Sequence, residues 1–210
     1  RNRDTWFSKL IPNGVDPQMF LPGPCDRTSW DLPPQSPVAL MVSALISSKR
    51  VLEGIACAAR VPGLHLVVAG DGPLRQQVQE EGNRLMKGRF RHVVLSRQKM
   101  PALYRTANVF LHMSQDEPSA NAYIEALATG LPIVTHDRWV TQWTLEDQAV
   151  LVNTDHYDQV EQGLRQALTL QTPLDVKNRR ALVDRRFAWS SIAQQYRDFF
   201  NEVLKRTNRI

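Results

Sequence analysis

Cysteine is scarce and scattered: Cys25 and Cys57 are the only two in 210 residues. One falls in a proline-rich loop and the other in an apolar helical stretch. Neither has metal or redox spacing, which excludes a disulfide framework and suits a reducing compartment. The five histidines, His65, His92, His112, His136 and His156, show no metal spacing either, and each reads as a strand-buried or surface side chain. No apolar run approaches the ~20 residues of a membrane span, and no signal-peptide pattern is present. Repeats and low-complexity tracts are missing. Ser43–Ser48 holds no glycine, which excludes the G-x-G-x-x-G turn of a dinucleotide dehydrogenase. Ser43-Ala44 carries no acidic cluster, which argues against a phosphoreceiver domain. Phe90 is the one Phe, Trp or Tyr interleaved with the basic clusters, so nucleic-acid binding is disfavoured.

What is there suits one soluble globular domain. The chain is 42% hydrophobic with a net charge of +5, ample for a single core. It opens on Arg1 rather than Met, which leads us to expect a fragment or a processed chain. Arg84, Lys87, Arg89, Arg91, Arg97 and Lys99 form one basic cluster, and Lys177, Arg179, Arg180, Arg185 and Arg186 another. Such clusters can attract nucleotide phosphates or anionic lipid headgroups, or can be solvated faces.

Trp6–Ile11 reads as an incoming strand, followed by a Pro12-Asn13-Gly14 turn and a loop to Pro37 containing five prolines, at 22, 24, 33, 34 and 37. Strand-length apolar runs then alternate with helical stretches. The strands are Val38–Ser43, Leu64–Gly70, Phe90–Ser96, Asn108–Ser114, Leu131–His136 and Gln148–Asn153. The helices are Arg50–Arg60, Pro73–Met86, Pro101–Thr106, Asn121–Thr129 and Thr141–Glu146, with Tyr157–Leu170 and Asp175–Arg186 after the last strand. Ser190 reads as the N-cap of a final helix striped with Ile192, Tyr196, Phe199, Phe200 and Val203. Strands without polar alternation, separated by helices, predict an α/β fold: a Rossmann-like parallel sheet with helices on both faces. Ligands bind such sheets beyond the carboxyl ends of the strands.

The stretch Asp116–Val134 stands out. It reads as a loop, a helix capped by Ser119 or Asn121 with Gly130 as its C′ residue, and a buried strand. Eight residues at about 100° each set Glu117 and Glu125 roughly 80° apart, so they do not share a helix face. A helix N-terminus at the carboxyl end of a strand favours a phosphate, while flanking carboxylates can accept from sugar hydroxyls. A nucleotide-sugar has hydroxyls on both sides of a diphosphate.

Glu117-x7-Glu125 followed by Ala-Leu-Ala-Thr-Gly-Leu-Pro-Ile-Val resembles the E-x7-E motif of retaining family-4 glycosyltransferases of GT-B fold (glycosyl transferases group 1). Ile-Pro-Asn-Gly-Val-Asp at Ile11–Asp16 is similar to that family's opening of its C-terminal domain, and Arg186–Tyr196 resembles its ending. The resemblance implies one half of a GT-B fold, with residues 1–37 as incoming strand and loop, 38–186 as core and 187–210 as C-terminal helix. It implies that the acceptor-binding N-terminal domain, with the family's catalytic histidine, lies outside the chain, and that the chain alone transfers no sugar. The donor-binding residues it implies are Lys49, Arg50, Glu117, Ser119, Ala120, Asn121, Glu125 and Ser96. Lys49 would hold the diphosphate, Glu117 the sugar hydroxyls and Glu125 the ribose, with Ser96–Met100 near the nucleobase. No metal or other cofactor is then expected, since cations and a helix N-terminus carry the phosphate charge.

Two departures matter. Ala44 stands where the family commonly has a phosphate-clamping arginine, a role left to Arg50. Pro118-Ser119-Ala120 replaces the glycines between the glutamates, which narrows backbone freedom. Gly70-Asp71-Gly72-Pro73 matches a family motif whose role reads as a tight turn with Pro73 at helix position N1.

The reading is thus the donor half of a retaining glycosyltransferase of polysaccharide or glycolipid biosynthesis. It would be cytoplasmic, with an anionic inner-membrane surface and the missing N-terminal domain as further partners. The alternatives are a non-catalytic binding or scaffold domain and a nucleotide-sugar 2-epimerase. The final helix is expected to leave part of its Phe199-Phe200 face exposed for an interdomain contact.

Overall fold

The computed structural model describes residues 7–117 and 120–207. Six strands form one sheet: β1 (Val38–Val42), β2 (His65–Ala69), β3 (Phe90–Val93), β4 (Val109–His112), β5 (Ile133–His136) and β6 (Ala149–Val152). Their order is β3-β2-β1-β4-β5-β6 and every pairing is parallel. Leu40 lies level with Val67 on one side and Phe110 on the other. The eight helices among the described residues are α1 (Val51–Ala59), α2 (Arg75–Met86), α3 (Met100–Thr106), α4 (Asn121–Ala128), α5 (Trp139–Leu145), α6 (Tyr157–Ala167), α7 (Pro173–Arg186) and α8 (Trp189–Thr207).

Strand period sorts the core into two layers. Val38 and Leu40 face one side with Val67, Phe110 and Ile133, where Leu103, Ile124, Leu127 and Leu182 bring in α3, α4 and α7. Ala39 and Met41 face the other with Leu66, Val68, Leu111 and Val134, covered by Ile55 of α1, Val78 of α2 and Leu164 of α6. Both faces being covered explains why the strand runs are continuously apolar.

The α/β expectation holds element by element, with local corrections. No strand forms between residues 7 and 14; the first pairing is a single parallel bridge from Val15 to Ala188. Helix α2 begins at Arg75, which leaves Pro73 in the preceding turn rather than at N1. Helix α5 starts two residues before Thr141, whose Oγ1 accepts from Arg138 N–H at 3.0 Å and so closes the helix start. Helix α8 starts at Trp189, so Ser190 lies in its first turn and is not the N-cap.

Gly130, at φ 83°, ends α4 as expected. Leu131 N–H donates to Ala126 O and Gly130 N–H to Leu127 O, both at 2.9 Å, a Schellman closure. The N-terminal cap differs: Ala120 occupies it without a side-chain hydrogen bond and Asn121 is the first helical residue, while Ser119 lies outside the described residues.

The second basic cluster serves the fold. Arg179, 3% exposed, donates to Gly130 O at 2.9 Å and Leu170 O at 2.6 Å. Arg180 donates to Ala128 O at 2.6 Å. Arg185 and Arg186 pair with Glu146. In the first cluster, Arg84 pairs with Glu81 and Arg89 donates to Leu64 O. On α8 only Ile192 is buried; Phe200 is 57% exposed, with Tyr196 and Leu204 beside it, as the expected uncovered face requires.

Candidate functional site

The strand order reverses between β1 and β4, and crevices at such a switch point receive ligands at the strands' carboxyl ends. After β1 the chain runs through Ser43–Ile46 into a 3-10 turn, Ser47–Lys49. The β2 loop is pressed against it: a Cβ on Gly70 would lie 1.9 Å from Ser43 O, and one on Gly72 2.7 Å from Leu45 O. At φ 153° and 156° both positions favour glycine. The Gly-Asp-Gly-Pro segment is therefore the tight turn expected, and it sets the floor of the site.

From that floor Lys49 reaches across to the β4–α4 loop and pairs with Glu117. The structure thus joins directly two residues that sequence reasoning assigned to separate parts of one ligand. Arg50 goes elsewhere. It has φ 51° at the N-cap of α1, and its guanidinium donates to Thr154 Oγ1 at 3.0 Å and pairs with Asp155 at 3.0 Å. Arg50 is committed to the β6–α6 loop, and Ala44 leaves Lys49 as the cation beside Glu117.

Two clefts flank the start of α4. The first, of about 520 Å³, is lined by Glu117, Asp116 and Ala120 with Ile11, Pro12, Asn13, Arg138, Trp139 and Trp143. Asn13 Nδ2 donates to Asn121 Oδ1 at 3.0 Å, which ties the Ile11–Asp16 segment to the helix start. Arg138 holds the loop by donating to Gln115 O at 2.6 Å and pairing with Asp116. The second cleft, of about 510 Å³, is lined by Val42, Ser43, Ala44, Gly70, Asp71, Leu95, Arg97 and Glu125. Glu117 and Glu125 therefore serve different clefts, as their expected angular separation implies.

Burial pushes the Glu125 carboxyl above the usual carboxylate range, partly offset by the Tyr104 hydroxyl and by Arg97. Tyr104 Oη donates to Glu125 Oε2 at 2.9 Å. Ser96 precedes a 3-10 turn, Arg97–Lys99, without a side-chain cap, and sits exposed beside the second cleft. Arg97 falls within the Ser96–Met100 stretch expected near the nucleobase, and it lines this cleft with Glu125. Tyr104 and His112 carry no site signal in the sequence, because a buried aromatic on a helix or strand reads as core.

Such an arrangement can hold an elongated anionic ligand: a helix N-terminus between two clefts, a cation paired with the carboxylate on one side and a second carboxylate on the other. The description "Glycosyl transferases group 1" matches residues 25–186. The lipopolysaccharide core biosynthesis glycosyltransferase LpsE of Rhizobium meliloti is 30% identical over 123 residues, 58% of this chain and 36% of LpsE. Sucrose-phosphate synthase of Thermosynechococcus elongatus superposes with a TM-score of 0.82 at 24% identity, over 94% of this chain and 53% of that one. HepE of Anabaena, crystallised with UDP and glucose, gives 0.78 at 20% identity, over 92% and 56%. The chain spans little more than half of each structure and about a third of LpsE. Six parallel strands in this order are the Rossmann-like half of a GT-B fold. With a family match that takes in the whole sheet and the loops at its carboxyl edge, the chain belongs to the glycosyl transferases group 1 family.

Proposed function

We propose that the chain is the donor-binding half of a retaining, family-4-type glycosyltransferase, which moves a sugar from a nucleoside-diphosphate-sugar to an acceptor bound by a second domain. The observation that supports this most is the division of labour around α4. The start of α4 lies between two clefts, Glu117 with its partner Lys49 on the side of one and Glu125 on the side of the other. The diphosphate takes Lys49 and the first turn of α4, the sugar hydroxyls take Glu117, and the ribose takes Glu125 with the base toward Ser96–Met100. HepE carries UDP and glucose on the same fold.

Chemistry in such a site is mainly positioning, with electrostatic stabilisation of the departing diphosphate. The acceptor domain supplies the remaining groups, so the isolated chain is inactive in transfer. Among the described residues no helix is long and apolar enough to cross a membrane.

A second reading, a non-catalytic binding domain, draws on Ala44 and on the engagement of Arg50 with Asp155, which together leave the phosphate one cation. Titration calorimetry with UDP, GDP and ADP and their sugar conjugates separates the two. The donor-site reading expects Lys49→Ala to weaken every nucleotide roughly ten- to a hundredfold, the loss of a charge-assisted contact of about 1.5–3 kcal/mol. Glu117→Gln should weaken only the sugar conjugates. Absence of binding by all three diphosphates at millimolar concentration overturns it in favour of the second reading.

A further inference from the structure

Beneath the Lys49–Glu117 pair runs a line of polar side chains that the donor site does not use. His112 ends β4 and is 4% exposed. Its Nδ1 lies 2.9 Å from Tyr123 Oη on α4, and that hydroxyl lies 2.8 Å from Thr135 Oγ1 on β5. Its Nε2 faces Glu117 Oε2 at 3.9 Å. This is the same carboxylate oxygen that Lys49 holds.

The hydrogen placement follows from the neighbours. A neutral imidazole has one donor and one acceptor nitrogen. The nitrogen that faces a carboxylate is the protonated one, so Nδ1 accepts from Tyr123, which accepts from Thr135. Burial keeps the ring neutral, its pKa pushed down to about 4 with Lys49 adding to the effect and Glu117 opposing it. At 3.9 Å Nε2 stands outside hydrogen-bond reach, and Lys49 satisfies the carboxylate in its place. A diphosphate competes for Lys49. Once it wins, Oε2 has lost its cation, and the N–H that already faces it is that of His112.

We propose that His112 is a positioning residue for Glu117: when phosphate takes Lys49, Nε2–H of His112 takes over Oε2 and leaves Oε1 presented to the donor's sugar hydroxyls. Tyr123 and Thr135 fix the tautomer that makes this possible. The proposal rests on the donor-site reading for its ligand, but the side-chain exchange can be read without one.

The test has two arms on the 210-residue chain. In the first, nitrogen-15 NMR reads the tautomer and titration of His112. The expected result is an Nε2–H ring whose midpoint rises by about one unit in Lys49→Ala, where Glu117 turns to the imidazole, and falls back in Lys49→Ala/Glu117→Gln. An Nδ1–H ring, an unmoved midpoint, or a rise that survives Glu117→Gln overturns the proposal.

In the second arm, calorimetry compares UDP with UDP-glucose and GDP with GDP-mannose. His112→Leu keeps the volume and should weaken the sugar conjugates about tenfold while leaving the diphosphates within twofold. His112→Gln returns an N–H near the Nε2 position and should recover most of the loss. Equal weakening of conjugate and diphosphate, or no recovery in His112→Gln, overturns it. If the parent chain binds none of the four, the donor-site reading falls, and the NMR arm decides the His112–Glu117 exchange by itself.

Discussion

Tyr104 and Glu125, 21 positions apart, join α3 to α4 through a 2.9 Å hydrogen bond at the edge of the second cleft. The bond makes a partly buried carboxylate tolerable without removing the cost of burying it. Tyr104→Phe should therefore destabilise the chain by about 1–3 kcal/mol at pH 7, measured by urea denaturation. Glu125→Gln keeps the acceptor and removes the charge, so its stability should equal or exceed the parent's. The sign follows from linkage. A carboxyl whose folded pKa is raised holds its proton more tightly when folded, so stability falls as pH rises through that window. Glu125→Gln should flatten that fall. Equal stability of parent and Tyr104→Phe would show that the bond contributes nothing.

His112 acts in the opposite direction. Its folded pKa is depressed from 6.5 to about 4, so the unfolded chain binds the extra proton first. Stability from this group is complete above pH 6.5 and is lost as pH falls toward 4, in total roughly 3 kcal/mol. His65 and His136, also lowered by burial, contribute with the same sign. Subtracting the pH profile of His112→Gln from that of the parent isolates the His112 share. A difference that is flat between pH 4 and 7 would refute it.

The two thiols should separate cleanly. Cys25 is exposed and Cys57 buried, and burial pushes the Cys57 thiol up to about 12. A thiolate reagent at pH 8 should modify one equivalent in the folded chain and the second only after denaturation. Two equivalents reacting at one rate would contradict the packing of α1.

Gly70→Ala is expected to be among the most damaging single changes in the chain. Its Cβ would stand 1.9 Å from Ser43 O at φ 153°, and the obstacle is backbone that cannot swing away. A loss of about 4 kcal/mol or more, read from the urea midpoint, is expected. Gly63 and Gly88 have φ of 73° and 80° with nothing near their Cβ positions. The corresponding alanine changes should cost only their backbone strain, about 1–2 kcal/mol.

The sheet was legible because its signal is local. Val38–Val42 is a continuous apolar run of strand length, Val109–Leu111 is one that ends at His112, and Gly130 announces the end of α4 by itself. The clefts were legible in part: the spacing of Glu117 and Glu125 already implies two directions. What sequence could not carry was pairing across the chain. Lys49 meets Glu117 across 68 positions and Arg50 meets Thr154 across 104, and neither pairing leaves a trace in periodicity. Trp6–Ile11 reads as a strand by composition, yet the six strands close the sheet without residues 7–11. His112 was hidden for another reason, since a polar residue inside an apolar strand looks the same whether or not its two nitrogens have partners.

The arginines of α7 make ionic strength an independent control. Arg179 and Arg180 bind the carbonyls of Gly130, Leu170 and Ala128, partners without net charge in places that mobile ions scarcely enter, so salt does little to loosen them. A phosphate taken by Lys49, as the proposed function requires, would lie at the open end of the same α4 and be exposed to screening. Raising salt from 50 to 500 mM should therefore erode anion affinity while the unfolding midpoint hardly moves. The two ends of one short helix answer to different solution variables, so ligand capture can be weakened in graded steps while the fold that presents it stays intact.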